Sequence, residues 1–168
     1  MSLPAPGTAV RTSILSRTDR LLLWSFRAWV IGLNRRLDIV PPLQEAFGQF
    51  GIAEAAELVD ALMSIVACSA ARTLDIECVC GPSVSEDEGR LLAAAALYQG
   101  GQSFEARFLL REMLTPAGSC DAGEILARLA AVLTTGNHKL SNWMIDGARF
   151  VFVASTNGAT QAPRPTLH

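Results

Sequence analysis

Cysteine is the residue type in this chain best suited to chemistry, and Cys68, Cys78, Cys80 and Cys120 are where a site is sought first. Two thiols at positions i and i+2 of an extended segment point to the same side. Cys78 and Cys80 therefore make the natural half of a metal site, with Cys68, Cys120 or His138 left to complete a ligand set. That spacing matches no common structural zinc pattern, which uses two close pairs of ligands. Reduced thiols also behave as small hydrophobes that suit a core. The sequence accordingly predicts structural cysteines, no bound metal and no cofactor.

Cys120 has a second possible use. It directly precedes Asp121, which with Glu124 reads as a capping box, and a thiol at a helix start has its pKa lowered by the helix dipole. A cysteine nucleophile also wants a histidine base, and the chain offers only His138 and the terminal His168. Ser85-Glu86-Asp87-Glu88 gathers three carboxylates, yet acids belong in the first turn of any helix and the alternating ligands of a calcium loop are missing. Gly100-Gly101 follows a helical pattern, where a phosphate loop would follow a strand. Neither a serine elbow nor a paired-histidine zinc helix occurs. No catalytic residue is assigned, and the chain reads as a non-enzyme.

Composition narrows the rest. The chain has 168 residues, half of them apolar, and its mean hydropathy of +0.29 is high enough to argue for a large core or an apolar contact face. The longest apolar stretch, Leu21 to Leu33, is interrupted by Ser25 and Arg27 and falls short of the roughly 20 residues a membrane span needs. With two tryptophans and an arginine in it, and no small-residue cleavage site after it, it does not read as a signal peptide either. A cytoplasmic protein with reduced cysteines is expected. Thirteen of the fourteen basic residues are arginine, which resembles the codon usage of a GC-rich bacterial genome.

Net charge is -2 but unevenly distributed. Residues 1 to 36 carry six arginines against Asp19, whereas residues 37 to 136 carry 14 acids against five arginines. A basic first segment beside an acidic body reads as two parts that pack together rather than as a nucleic-acid site.

The elements follow from periodicity and breakers. Residues 1–16 read as a flexible arm, 17–154 as a single helical domain and 155–168 as a flexible tail. A first helix from Thr18 to about Arg36 is apolar over most of its circumference, with Arg20, Arg27 and Asn34 as one narrow polar stripe, and this predicts a central position. A short helix follows Pro41-Pro42. Further helices are expected near Ala53–Thr73, from the capping box of Ser85 and Glu88 through Gln99, over Ser103–Leu114, and from Asp121 through Leu133. The period-two pattern of Leu74, Ile76, Cys78 and Cys80 predicts a strand or extended link, and Asp146-Gly147 between apolar runs predicts a hairpin. The fold class is thus mainly α: a compact domain of about six helices with a minor two- or three-stranded β element around 74–80 and 142–153.

The stretch Leu91 to Pro116 resembles a single tetratricopeptide-type helical hairpin in its Gly101-to-Ala106 spacing, echoed by Gly51 to Ala56. No period of about 34 residues runs along the chain, so the resemblance implies only an antiparallel helix pair.

Excess hydrophobicity without convergent polar chemistry predicts a helical protein-interaction or adaptor module, binding a protein partner or a second copy of itself. Trp24, Arg27, Trp29, Trp143, Phe150 and Phe152 are the expected contact residues. The alternatives are a small-ligand- or metal-responsive regulator, and peripheral binding of anionic lipid or nucleic acid through the N-terminal arginines.

Overall fold

The computed structural model describes residues 9–146 and 149–153, with side chains through Trp143. The chain is mainly helical. Its helices are α1 (Arg17–Arg35), α2 (Val40–Gly48), α3 (Ala55–Ser69), α4 (Glu86–Gln99), α5 (Ser103–Arg111) and α6 (Pro116–Thr135), followed by strands β1 (Asn142–Asp146) and β2 (Arg149–Val153).

The apolar stripes of α3, α4, α5 and α6 meet in one core. α3 lies along α6, α4 packs on α5 and α6, and α1 crosses α3 and α4. Leu62, Leu91, Leu92, Leu110, Leu126 and Leu129 are fully buried there, each contributing about 1.5–3 kcal/mol of transfer free energy. Small residues let the helices approach closely: a Cβ on Gly123 of α6 would lie 2.3 Å from the Tyr98 hydroxyl of α4. α1 takes the central position its composition predicts, and from Thr18 to Trp29 only Arg20 and Trp24 are not buried.

Caps locate the helix ends. Ser16, not Thr18, caps α1 by accepting from the Asp19 N–H at 3.1 Å, and Ser85 and Glu88 close both halves of their capping box. The second expected capping box is corrected. α6 begins at Pro116 under a Thr115 cap that accepts from the Gly118 N–H at 3.2 Å, so Asp121 and Glu124 are helix-interior residues. A proline just after Leu114 suits the end of one helix, but it fits the first turn of the next equally well because its missing N–H has no partner there.

Two further expectations change. Residues 74–80 form no strand; they run as an irregular link whose only regular feature is a turn at its end. Among the described residues the minor sheet is therefore the two-stranded hairpin, pairing Trp143 with Phe152 and Asp146 with Arg149. That register places Asp146 in the ladder, and the connecting residues 147–148 lie outside the described residues. The expected N-terminal arm also docks earlier than residue 17. Val84 N–H donates to Val10 O at 2.7 Å, Thr12 N–H donates to Pro82 O at 2.9 Å, and Leu15 is buried. Residues 1–8 and the expected tail 155–168 lie outside the described residues.

Candidate functional site

The arginines of α1 are placed in two opposite ways. Arg27, halfway along the helix, is only 2% exposed. Its Nε and Nη2 donate to the two carboxylate oxygens of Glu88 at 2.7 and 2.9 Å, while Nη1 donates to Gly81 O at 2.9 Å and Nη2 also donates to Ser83 O at 2.7 Å. Glu88 in turn accepts from the backbone N–H groups of Glu77 and Ser85. The Glu88 hydrogen bonds raise the guanidinium pKa above its ordinary value against the opposing effect of burial. All four acceptor positions of the Glu88 carboxylate and four of the five guanidinium N–H groups of Arg27 are used, which makes the clamp a structural tie.

A second charged cluster lies at the start of α4. Arg72 donates in bidentate fashion to Asp87 at 2.7 and 2.9 Å, Asp75 N–H adds a bond at 2.8 Å, and Arg90 donates to the same carboxylate at 2.9 Å. Burial alone would push the Asp87 carboxyl up, but the bonds from Arg72, Asp75 and Arg90 outweigh it and hold the group below the usual carboxylate range. Arg72, Thr73, Asp75, Glu86, Asp87 and Arg90 line a cleft of about 480 Å³. Arg72, Asp87, Arg90 and Glu86 are paired with one another there.

The third arrangement is open. Arg17, Arg20, Leu21 and Trp24 stand at i, i+3, i+4 and i+7 on α1 and so share one face. Ala46, Gln49 and Phe50 stand at i, i+3 and i+4 at the end of α2, and the two stripes border a groove of about 330 Å³. The chain reverses at Gly51, whose φ of +73° is a left-handed conformation that glycine adopts without strain. Phe50 is held from two sides. The Arg17 guanidinium lies 4.6 Å from its ring centroid, and the His138 ring meets it edge-on at 5.6 Å. His138 Nε2 donates to the Phe50 carbonyl at 2.8 Å, fixing the backbone as well. Among the described residues, neither Arg17 nor Arg20 forms an ion pair with an acid. The groove thus offers two available cations above an apolar, aromatic floor.

The residues singled out from the sequence divide accordingly. Trp24 lines the groove, half-buried. Arg27 is in the buried clamp. Trp29 is buried and donates to Asp60 Oδ1 at 2.8 Å, joining α1 to α3. Trp143 is buried against Gly89 of α4. These last three are spent inside the domain and cannot serve an outer contact; the side chains of Phe150 and Phe152 lie outside the described residues. Cys68, Cys78, Cys80 and Cys120, expected as core hydrophobes, are all exposed. Cys120 lies inside α6, not directly before a helix start. Among the described residues no three metal-ligating side chains come together; the sulfurs of Cys78 and Cys80 lie 3.7 Å apart.

Sequence reasoning did not single out Arg17 and Phe50, or the exposed pair Phe104 and Phe108 on α5, which are 82% and 57% exposed. A signal for the pair was present. Ala106, Leu109 and Leu110 already supply the buried stripe of α5, so phenylalanines at i and i+4 on another face have no place in it.

No helix among the described residues is long and apolar enough to cross a membrane. No protein-family model, curated protein or solved structure compared with this chain matches it.

Proposed function

We propose that this protein is a non-enzymatic interaction module of a bacterial cytoplasm whose α1–α2 groove takes an acidic segment of a partner protein, anchored by one apolar side chain. The observation that carries this reading is the contrast in how the arginines are used. Arg27, Arg72 and Arg90 are matched with acids of the same chain, whereas Arg17 and Arg20 have no acid partner among the described residues and border the groove with Leu21, Trp24 and Phe50. An apolar side chain entering the groove removes that surface from water, and carboxylates beside it meet the two guanidinium groups, which favour bidentate oxygen partners. The half-buried Trp24 and the ordered Phe50 supply the rigid aromatic surface on which contact energy concentrates.

The test is a fluorescence-anisotropy titration with short synthetic peptides carrying glutamates around a single phenylalanine. Binding is expected to require both the glutamates and the phenylalanine, to weaken with salt, and to fall by about tenfold or more in Arg17→Glu/Arg20→Glu, a loss of about 1.4 kcal/mol. Equal binding by the double variant, or by peptides without glutamate, overturns the reading. A second reading rests on the size of the groove, which lies at the lower end of small-ligand pockets: it holds a small apolar carboxylic acid. Phenylacetate and octanoate in the same titration distinguish the two, because the second reading requires them to compete with the peptide.

A further inference from the structure

We propose that Cys78 and Cys80 form a peroxide-sensitive dithiol that closes to an intramolecular disulfide and thereby disturbs the buried Arg27–Glu88 clamp. This lies outside the groove and is independent of its role.

Two observations place the thiols in reach of each other. The Gly81 N–H donates to the Cys78 carbonyl at 2.9 Å, closing a turn in which the cysteines hold the first and third positions. Their sulfurs are 3.7 Å apart. Both residues are exposed, so an oxidant reaches them without any opening of the fold. With no third ligand beside them among the described residues, the pair lacks the donors of a four-coordinate metal site. Disulfide formation needs only the two sulfurs.

The chemistry balances with a peroxide as oxidant. One thiolate attacks a peroxide oxygen; the S–O bond forms, the O–O bond breaks, and the departing hydroxide is protonated to water, leaving a sulfenic acid. The second thiolate then attacks that sulfur. The S–S bond forms, the S–O bond breaks and the oxygen leaves as a second water. In total the two thiols give up two protons and two electrons, and hydrogen peroxide takes up both. An exposed bridge within a short turn is the kind that cellular thiols reduce again.

The consequence follows from what the turn touches. Bonding shortens the sulfur separation from 3.7 Å to about 2.05 Å within a ring that spans only three residues, which pulls on the backbone of 78–81. Gly81 is the residue whose carbonyl accepts from Arg27, and a Cβ built on it would lie 3.1 Å from Cys78 O and 3.4 Å from Arg27 Nη1. The turn is therefore packed directly on the guanidinium. On the other flank, Glu77 N–H donates to Glu88. Movement of the turn strains both halves of the clamp at once.

The test treats the full chain with stoichiometric hydrogen peroxide after removal of reductant. The expected product is lighter by about 2 Da, the mass of two hydrogens, with the loss confined to the tryptic peptide that carries both cysteines and reversed by dithiothreitol. Cys68→Ser/Cys120→Ser is expected to react in the same way, whereas Cys78→Ser and Cys80→Ser each lose the 2 Da product. The Arg27 Nε–H resonance is expected to shift on oxidation and to return on reduction. Oxygen addition or dimerisation at Cys68 or Cys120 while Cys78 and Cys80 stay reduced overturns the dithiol. A bridge that leaves the Arg27 resonance unmoved overturns the coupling.

Discussion

Arg20 and Arg27 lie seven residues apart on one helix, yet one stands in solvent beside an open groove and the other is enclosed in a four-bond clamp. Position on the helix does not explain the difference. What stands opposite does: Glu88 of α4 and the 81–83 backbone of the link before it face Arg27, while Ala46 of α2 and the Gln49 and Phe50 that follow it border the groove beside Arg20. The same side chain becomes a structural tie where an acid and carbonyls enclose it. Where the facing surface is apolar it remains available to a partner. In this domain, a charge becomes a candidate for function when the neighbouring element leaves it unmatched.

The strongest way to break that contrast is to remove one half of the clamp. Arg27→Met leaves the Glu88 carboxylate buried with only backbone partners, and stripping one partner from a buried ion pair costs about 3–5 kcal/mol. Urea denaturation is expected to show a loss of this size, and Arg27→Met/Glu88→Leu should recover part of it because no buried charge remains. An unchanged midpoint for Arg27→Met would place the clamp among pairs of no energetic consequence. Asp19 extends the same idea to the N-terminal end of α1. Though adjacent in sequence to Arg20, it is fully buried and accepts from the Ser16 hydroxyl and from the N–H and hydroxyl of Ser141. Asp19→Ala should cost about 1–3 kcal/mol through the unsatisfied groups it leaves, with the near-ultraviolet signal of the neighbouring Trp143 changing at the same time. Full stability with an unaltered signal would show that the Asp19–Ser141 tie is dispensable.

Much of the helical frame was legible in the sequence because caps and periodicity are local. Ser85 with Glu88 marked the start of α4 directly, and the near-continuous apolar surface of α1 marked its central position. The start of α6 was missed because Thr115-Pro116 reads equally well as an end and as a beginning, and only the packing of Gly118 and Ser119 decides it. The groove was half legible. Trp24 stood out by type, but Phe50 and His138 are 88 residues apart and nothing local announces their contact. The burial of Arg27, which shares a polar stripe with Arg20 and Asn34, was hidden for the same reason: its partner Glu88 is 61 residues away.

Acid separates the clusters in a milder way. The Asp87 carboxyl is held below the usual range, so its pairing stabilises the fold at pH values above the unfolded carboxylate pKa of about 3.9 and is lost as pH falls through the lower folded value. Stability of the native chain should therefore decline below about pH 4. Asp87→Asn should start lower at neutral pH and decline less, so that the two curves converge in acid. Parallel curves would remove Asp87 from the groups that link stability to pH.

The smallest stability effect is expected where the function is proposed. Arg17→Ala and Arg20→Ala each remove an exposed charge without an acid partner among the described residues, and substitutions of that kind shift stability by about 0.5 kcal/mol or less. Arg17 also gives up its contact with the Phe50 ring, which at an exposed site is worth about 0.5–1 kcal/mol, so its variant should be the less stable of the two. Set beside Arg27→Met, these values order the three arginines by what faces them. If Arg20→Ala proves as damaging as Arg27→Met, the groove is part of the scaffold, and its open cations lose their claim on a partner.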